Sequence, residues 1–286
     1  MKLVRIGPAG EEVPAVLADD GTLLDLRGLA GDIDGALLAT GLDAIREAAA
    51  RGDLPPLSLP ASGPGARFGP PVTGIGKVVC VGLNYADHAA ETGADLPSEP
   101  VLFLKATDTV IGPCDEVLVP RTSERTDYEV ELAVVIGRTA RYLATPDDAA
   151  AVIAGYTISN DVSERAFQLD RGGQWDKGKS CETFNPLGPW LVTADEVADP
   201  QSLRLRLWVN GELRQDGTTA DMAFGVHHLV WYISQFLVLR PGDIVNTGTP
   251  AGVALGRPGG GYLRPGDTMR LEIDGLGAQH QTLGAA

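Results

Sequence analysis

The chain is short of basic residues, of cysteine and of long apolar runs, and each shortage removes a class of function. Only 23 Lys and Arg stand against 38 Asp and Glu, a formal net charge of −15. Phosphate contacts demand a basic face, so no nucleic-acid partner is expected. The three cysteines, Cys80, Cys114 and Cys181, fit neither a disulfide framework nor a C-x-x-C metal knuckle. They read as small buried hydrophobes in a reducing compartment. The longest apolar runs, 149–156 and 229–239, are too short for the ~30 Å hydrocarbon core of a bilayer, so no membrane partner is expected. Met1-Lys2-Leu3-Val4-Arg5-Ile6 runs straight into Gly7-Pro8 without the basic, apolar and small-residue order of a leader, so a cytoplasmic location is expected.

What is present divides near Thr73. Residues 1–73 read as a small α+β domain with strands at 2–6, 13–17 and 23–26 and a helix at 33–50, closed by a linker over 52–71 rich in Pro and Gly. Residues 74–286 carry many short strand-like segments, at 77–82, 101–105, 127–136, 155–161, 188–192, 203–209, 243–247 and 268–273. Helical patterns are few, at 86–91, 146–153, 163–169 and 224–236. Regular βαβ alternation is absent, so the fold class is mainly β with α: a barrel or sandwich with helical decoration. A chain of 286 residues is long enough to bury a sizeable core.

Three acidic groups carry the most chemical information. Glu129 and Glu131, in Tyr-Glu-Val-Glu-Leu, point to the same side of a strand. Ala133 and Val135 continue that face, which becomes apolar within one step. A third carboxylate, Asp161, ends the next apolar strand. Together they would make an all-oxygen site for a hard divalent cation, Mg²⁺ or Mn²⁺. The plainer readings are a charged edge strand for the Glu pair, and a helix N-cap or an ion pair with Arg165 for Asp161. Arg165 and Gln168 share one helical face. Lys179, in a Gly-interrupted loop, is a candidate counter-cation or an ordinary solvated lysine. His88 and Glu91, i and i+3 on a short helix, can form a proton-transfer pair or a simple surface pair. The Gly-rich turn 246–253 could hold a carboxylate through its amides and the Thr249 hydroxyl, and it lacks the Lys and spacing of a phosphate loop.

In order along the chain, Gly82-Leu-Asn-Tyr85 with His88 and Glu91, Phe103-Leu-Lys105, Asp127-Tyr-Glu-Val-Glu-Leu132, Asn160-Asp161 with Arg165 and Gln168, Gly178-Lys179-Ser180, Asn185-Pro-Leu-Gly-Pro-Trp190 and Thr247-Gly-Thr-Pro-Ala-Gly-Val253 resemble the fumarylacetoacetate hydrolase family. The resemblance spans about residues 74 to 275. It implies a mixed β-roll or sandwich, a homodimer, and Mg²⁺ or Mn²⁺ on Glu129, Glu131 and Asp161. It also implies proton transfer by His88 oriented by Glu91, on a segment that closes as a lid. Lys105, Arg165, Gln168, Lys179 and Thr249 match positions that hold the substrate's oxo and carboxylate groups. The Arg-Gly-Gly-Gln-Trp segment at 171–175 looks most like the branch acting on 2,4-diketo-3-deoxy sugar acids. The expected activity is hydrolysis of a C–C bond in a 2,4-diketo acid to pyruvate and a second acid. Alternatives are oxaloacetate decarboxylation, isomerisation of a 2-hydroxyhepta-2,4-diene-1,7-dioate type of substrate, and a cation-binding structural module without catalysis.

Overall fold

Val- and Leu-rich strands form the centre of the molecule. The computed structural model describes residues 1–58 and 66–286; Pro60, Gly63, Pro64 and Gly65 of the expected linker lie outside them. Strands β1 (Lys2–Ile6), β2 (Val13–Leu17) and β3 (Leu23–Asp25) form a meander followed by helices α1 (Gly35–Thr40) and α2 (Leu42–Arg51). Next come β4 (Val78–Gly82), α3 (Ala86–Thr92), β5 (Val101–Lys105), β6 (Val110–Ile111), β7 (Val117–Val119) and β8 (Thr126–Asp127). The central pair is β9 (Val130–Ile136) and β10 (Ile153–Asn160). After it lie β11 (Ser163–Glu164), α4 (Arg165–Leu169), α5 (Asp176–Lys179), β12 (Asn185–Thr193), β13 (Arg204–Val209), β14 (Glu212–Thr218), α6 (Val226–Ser234), β15 (Ile244–Asn246), β16 (Thr268–Ile273) and β17 (Gly277–Ala285). One sheet runs β3-β2-β1-β12-β10-β9-β15-β4-β5, with β6 joined to β12, and a second runs β14-β13-β16-β17-β7. The class is mainly β with α, as the run of short strands implied. No helix among the described residues is long and apolar enough to cross a membrane.

Strand β9 is buried on both faces, and its two faces meet different neighbours. Val130, Leu132, Val134 and Ile136 share a core with Leu205, Leu207 and Leu271 of the second sheet and with Leu229 and Ile233 of α6. Ala133 and Val135 face the opposite way, into a core completed by Leu3, Ile33, Leu38, Ile45 and Val72. Each such fully buried Leu or Ile contributes roughly 1.5–3 kcal/mol. The first strands extend the main sheet, since β1 pairs antiparallel with β12 through Lys2 opposite Val192 and Leu3 opposite Leu191. Sheet and core therefore run continuously across Thr73.

Several elements differ from expectation for local reasons. The helix expected over 33–50 is two, divided at Gly41, where a Cβ would lie 2.4 Å from Leu37 Cδ1. Residues Pro146–Val152 form a 3₁₀ helix opened by a Thr145/Asp148 capping box. Strands β14 and β17 escape a hydropathy reading because glutamines occupy their buried positions. Gln279 donates to the carbonyls of Ile158 at 2.8 Å and Gly188 at 3.0 Å, and Gln281 donates to that of Pro113 at 2.6 Å.

Ion pairs clamp the first strands to the rest of the chain. Arg67 bonds Asp115 at 2.7 and 2.6 Å and Glu12 at 2.6 Å, while Arg5 bonds Asp32 at 2.7 Å and reaches Glu12 at 3.3 Å. Burial alone would raise the Glu12 carboxyl, but Arg67 and Arg5 hold it below its ordinary 4.5. Its stabilisation is complete above that value and lost as pH falls through the lower folded one. Replacing Arg67 by Met should cost about 2 kcal/mol of unfolding free energy, read as a lower denaturant midpoint, and flatten the loss of stability below about pH 4.5. An unchanged midpoint and acid limb would remove the clamp from the account.

Candidate metal centre and active site

The register of β9 and β10 assembles the acidic group. Glu131 stands opposite Ser159 and Val130 opposite Asn160. The ladder takes one more step, as Asp161 N donates to Glu129 O at 3.0 Å, so Asp161 stands opposite Glu129. Side chains two apart share a face, and one carboxylate oxygen from each of Glu129, Glu131 and Asp161 lies within 4.8 Å of the others. All three residues are buried, at 4, 2 and 0 % exposure. The face that is apolar core at Ala133 and Val135 thus becomes a cluster of like charges at its other end.

Three buried cations answer that charge. Lys179 Nζ bonds Glu129 Oε2 at 2.7 Å and Asp161 Oδ2 at 2.8 Å. Lys105 Nζ pairs with Asp161 and donates to Val162 O at 3.0 Å. Arg165 bonds Glu129 at 2.6 Å, Asp127 at 2.9 Å and Gln168 Oε1 at 3.0 Å. Burial would raise the Glu129 carboxyl, yet Lys179 and Arg165 hold it well below the carboxylate range. The same exchange works in reverse on Lys179: burial opposes its charge, and Asp161 and Glu129 overcome that and raise it.

Glu131 is the exception. It accepts a 2.7 Å bond from Gly248 N and, among the described residues, has no cation partner. Burial and the nearby charges of Asp161 and Glu129 push its carboxyl well up. A buried carboxylate crowded by two others and lacking a cation fits a divalent ion that takes oxygen ligands. Glu129, Glu131 and Asp161 are the residues that would hold it.

His88 and Glu91 sit beside this group, with His88 lining the same cavity as Glu129 and Glu131. His88 Nδ1 lies 2.9 Å from Glu91 Oε1, and Glu91 is fixed in turn by Gly252 N at 2.9 and 3.0 Å. Asp87 accepts from Ala251 N at 3.2 Å, so α3 rests on the Gly-rich turn at two points. Asn84 ties the base of α3 down, donating to Thr247 O at 2.8 Å and to Phe224 O at 3.1 Å. Gly248, at φ 95°, is needed at this contact, since a Cβ there would lie 2.8 Å from Asn84 Cβ. The turn does hold carboxylates through its amides, and they belong to the protein. Gly248 serves Glu131, Gly252 serves Glu91, and Ala254 and Leu255 bind Asp127 at 2.8 and 3.0 Å. Thr249 Oγ1 donates to Val130 O at 2.9 Å and accepts from Gln215 at 2.7 Å.

A cavity of about 210 Å³ opens over these groups. Glu129, Glu131, His88, Arg165, Gln168, Lys179 and Thr249 line it, together with Leu83, Phe103, Leu169, Trp175 and Leu255. Asp161 and Lys105 are not among its lining residues; Lys105 lies behind Asp161. Glu91 stands behind His88. Lys179 ends the short helix α5 in place of the expected loop. Asp127 went unread in the sequence, although it holds Arg165 and three amides, counting that of Tyr128 at 2.9 Å. Its spacing offered a signal, because 127, 129 and 131 alternate along one extended run.

Fold and site together describe a β-rich scaffold that carries a buried acidic group, with its lysine and arginine partners, beside a small cavity. Residues 77–283 match the fumarylacetoacetate (FAA) hydrolase C-terminal family, and the chain belongs to that family. It is 47% identical over 282 residues to a 2,4-didehydro-3-deoxy-L-rhamnonate hydrolase of Sphingomonas sp. (strain SKA58), covering 98% of this chain and 95% of that one. Maleylpyruvate hydrolase from Sphingobium sp. SYK-6, solved with manganese(II) and pyruvate, is similar with a TM-score of 0.80 and 30% identity over 100% of both chains. The 2-hydroxyhepta-2,4-diene-1,7-dioate isomerase from Mycobacterium marinum gives a TM-score of 0.76 at 34% identity, covering 100% of this chain and 98% of that one.

The position of Asp127 can be tested by stability alone. Asp127→Asn leaves Arg165 short of one buried partner and should cost about 3 kcal/mol or more, read from denaturant unfolding. A loss below about 0.5 kcal/mol would show that Arg165 does not depend on it.

Proposed function

We propose that this protein is a Mg²⁺- or Mn²⁺-dependent hydrolase that cleaves the C3–C4 bond of a 2,4-diketo acid, releasing pyruvate and a second carboxylic acid. The observation that carries the reading is the meeting, in one cavity, of Glu129 and Glu131 from the buried acidic group with a histidine whose Nδ1 is held by Glu91 at 2.9 Å. The Sphingomonas relative supports the substrate class and the Sphingobium structure supports the ion and the pyruvate product.

Charge favours such a substrate. Four buried carboxylates (Asp127, Glu129, Glu131, Asp161) face three cations (Lys105, Arg165, Lys179). A divalent ion turns that small negative excess into a positive one, which suits a substrate bearing a carboxylate and an enolisable diketone. When bound, the ion would supply Lewis acidity at the 2-oxo end, where negative charge develops. Glu91 fixes the imidazole so that Nε2 faces the reaction as the base. His88 takes a proton from water as the water oxygen adds to C4. The C3–C4 bond then breaks, its electron pair passes to C3, and protonation there gives pyruvate while C4 leaves as a carboxylate. Lys179 spends two of its three N–H donors on Glu129 and Asp161 and keeps one for a developing oxyanion. Gln168 spends its carbonyl on Arg165 and keeps its amide NH₂ for the same task.

The isomerase relative supports a second reading, in which His88 moves a proton and no water attacks. Decarboxylation of oxaloacetate likewise needs no attacking water. Turnover in H₂¹⁸O separates them, since hydrolysis places ¹⁸O in the second acid and the others do not. Protein stripped with a chelator should release no pyruvate from acylpyruvates until Mg²⁺ or Mn²⁺ is returned. His88→Ala should lower kcat for hydrolysis by about 10²-fold or more while the ion still raises thermal stability. Full activity after stripping would exclude the metal, and undiminished hydrolysis by His88→Ala would exclude the base.

A further inference from the structure

The charged side chains that line the cavity, Glu129, Glu131, His88, Arg165 and Lys179, gather on one side of it. Lys179 Nζ, bonded to the acidic group, stands 5.0 Å from the centre of the Phe103 ring. Phe103 meets Trp175 edge to face at 5.5 Å, and Trp175, half-buried, forms the outer wall. The order outward from the carboxylates is therefore ammonium, phenyl, indole. Trp175 is placed by its backbone and its neighbours. Its carbonyl accepts from Lys179 N at 3.1 Å, so indole and ammonium ride on the same helical turn, four residues apart. Gly82 makes room for the indole, since a Cβ there would lie 2.6 Å from Trp175 Cζ3. Gly172 and Gly173, at φ 86° and 69°, turn the chain sharply just before it.

The cations are confined to the inner end. Among the described residues, the basic side chains lining the cavity are His88, Arg165 and Lys179. Arg165 and Lys179 already bond Glu129, and His88 is held by Glu91. The other two basic residues within four positions of Trp175 turn elsewhere: Arg171 lies over Phe167 at 5.5 Å, and Lys177 Nζ bonds Arg171 O at 2.7 Å. A second carboxylate at the far end of a substrate would thus be desolvated against phenyl and indole with no cation to pair it.

We propose that the site selects 2,4-diketo acids with a short, uncharged acyl end, and that Trp175 is the specificity-determining residue for that end. This rests on the hydrolase reading above. The C4 substituent lies along Phe103 and Trp175 as a C–H surface against aromatic faces. The indole limits its length, and the absent cation excludes a terminal charge.

Pyruvate release from acetylpyruvate, 2,4-dioxononanoate and maleylpyruvate, measured with Mn²⁺ for the wild type, Trp175→Ala and Trp175→Arg, tests this. The wild type should prefer acetylpyruvate to maleylpyruvate by about 100-fold or more in kcat/KM, and to 2,4-dioxononanoate by about 10-fold or more. Trp175→Ala should erase the length preference, chiefly through KM, and Trp175→Arg should narrow the gap to maleylpyruvate by about 10-fold. An unchanged ion-dependent rise in Tm shows that each variant has kept its fold and inner site. Comparable wild-type turnover of acetylpyruvate and maleylpyruvate, or a length profile untouched by Trp175→Ala, would overturn the inference and leave the hydrolase reading standing. Release of pyruvate from none of the three would overturn that reading and the inference with it.

Discussion

Burying Glu129, Glu131 and Asp161 side by side is the constraint around which this molecule is organised. Three like charges out of water and within 4.8 Å of each other would cost many kcal/mol if left alone. The fold answers with a cation from each of three separate segments: Lys105 at the end of β5, Arg165 at the start of α4 and Lys179 at the end of α5. Asp127 anchors Arg165 from behind. Glu131, left with one amide donor, marks where this compensation stops and a metal ion would begin.

The scaffold makes that arrangement affordable. Because β9 is buried on both faces, its position is fixed by two cores at once, and the register with β10 leaves no freedom in where Asp161 falls. The Gly-rich turn after β15 then acts as a rack of amides for Glu131, Glu91 and Asp127. One loop therefore sets the acidic group, the orienter of His88 and the support of Arg165 together. A shift in that turn would move all three, which couples the position of the His88–Glu91 pair to the charge balance of the acidic group without any long pathway.

The sequence made much of this legible, and its silences have physical causes. The acidic alternation in β9 could be read because parity on a strand is strict, and the same face turning apolar at Ala133 argued for burial. Arg165, Gln168, Lys179 and Thr249 fall on one cavity, but as isolated residues they looked ordinary. Only the ordered set of motifs singled them out. Helix α5 was hidden by its brevity and by Gly178, whose place is set by tertiary contact: a Cβ there would lie 2.4 Å from Glu164 O and 2.5 Å from Gln168 N. Strands β14 and β17 were hidden because Gln215, Gln279 and Gln281 point inward to satisfy carbonyls, which no hydropathy pattern shows. Lys105 could not be told from a cavity-lining lysine, since strand parity gives a side and not a depth.

The three carboxylates would together be the ligands of one divalent ion. A crystal of the protein soaked with Mn²⁺, examined by anomalous scattering, tests it most directly. The expected result is a single strong peak per chain, ~2.1 Å from one oxygen each of Glu129, Glu131 and Asp161. A peak held elsewhere, or none at these three residues while Lys179 remains between Glu129 and Asp161, would contradict it.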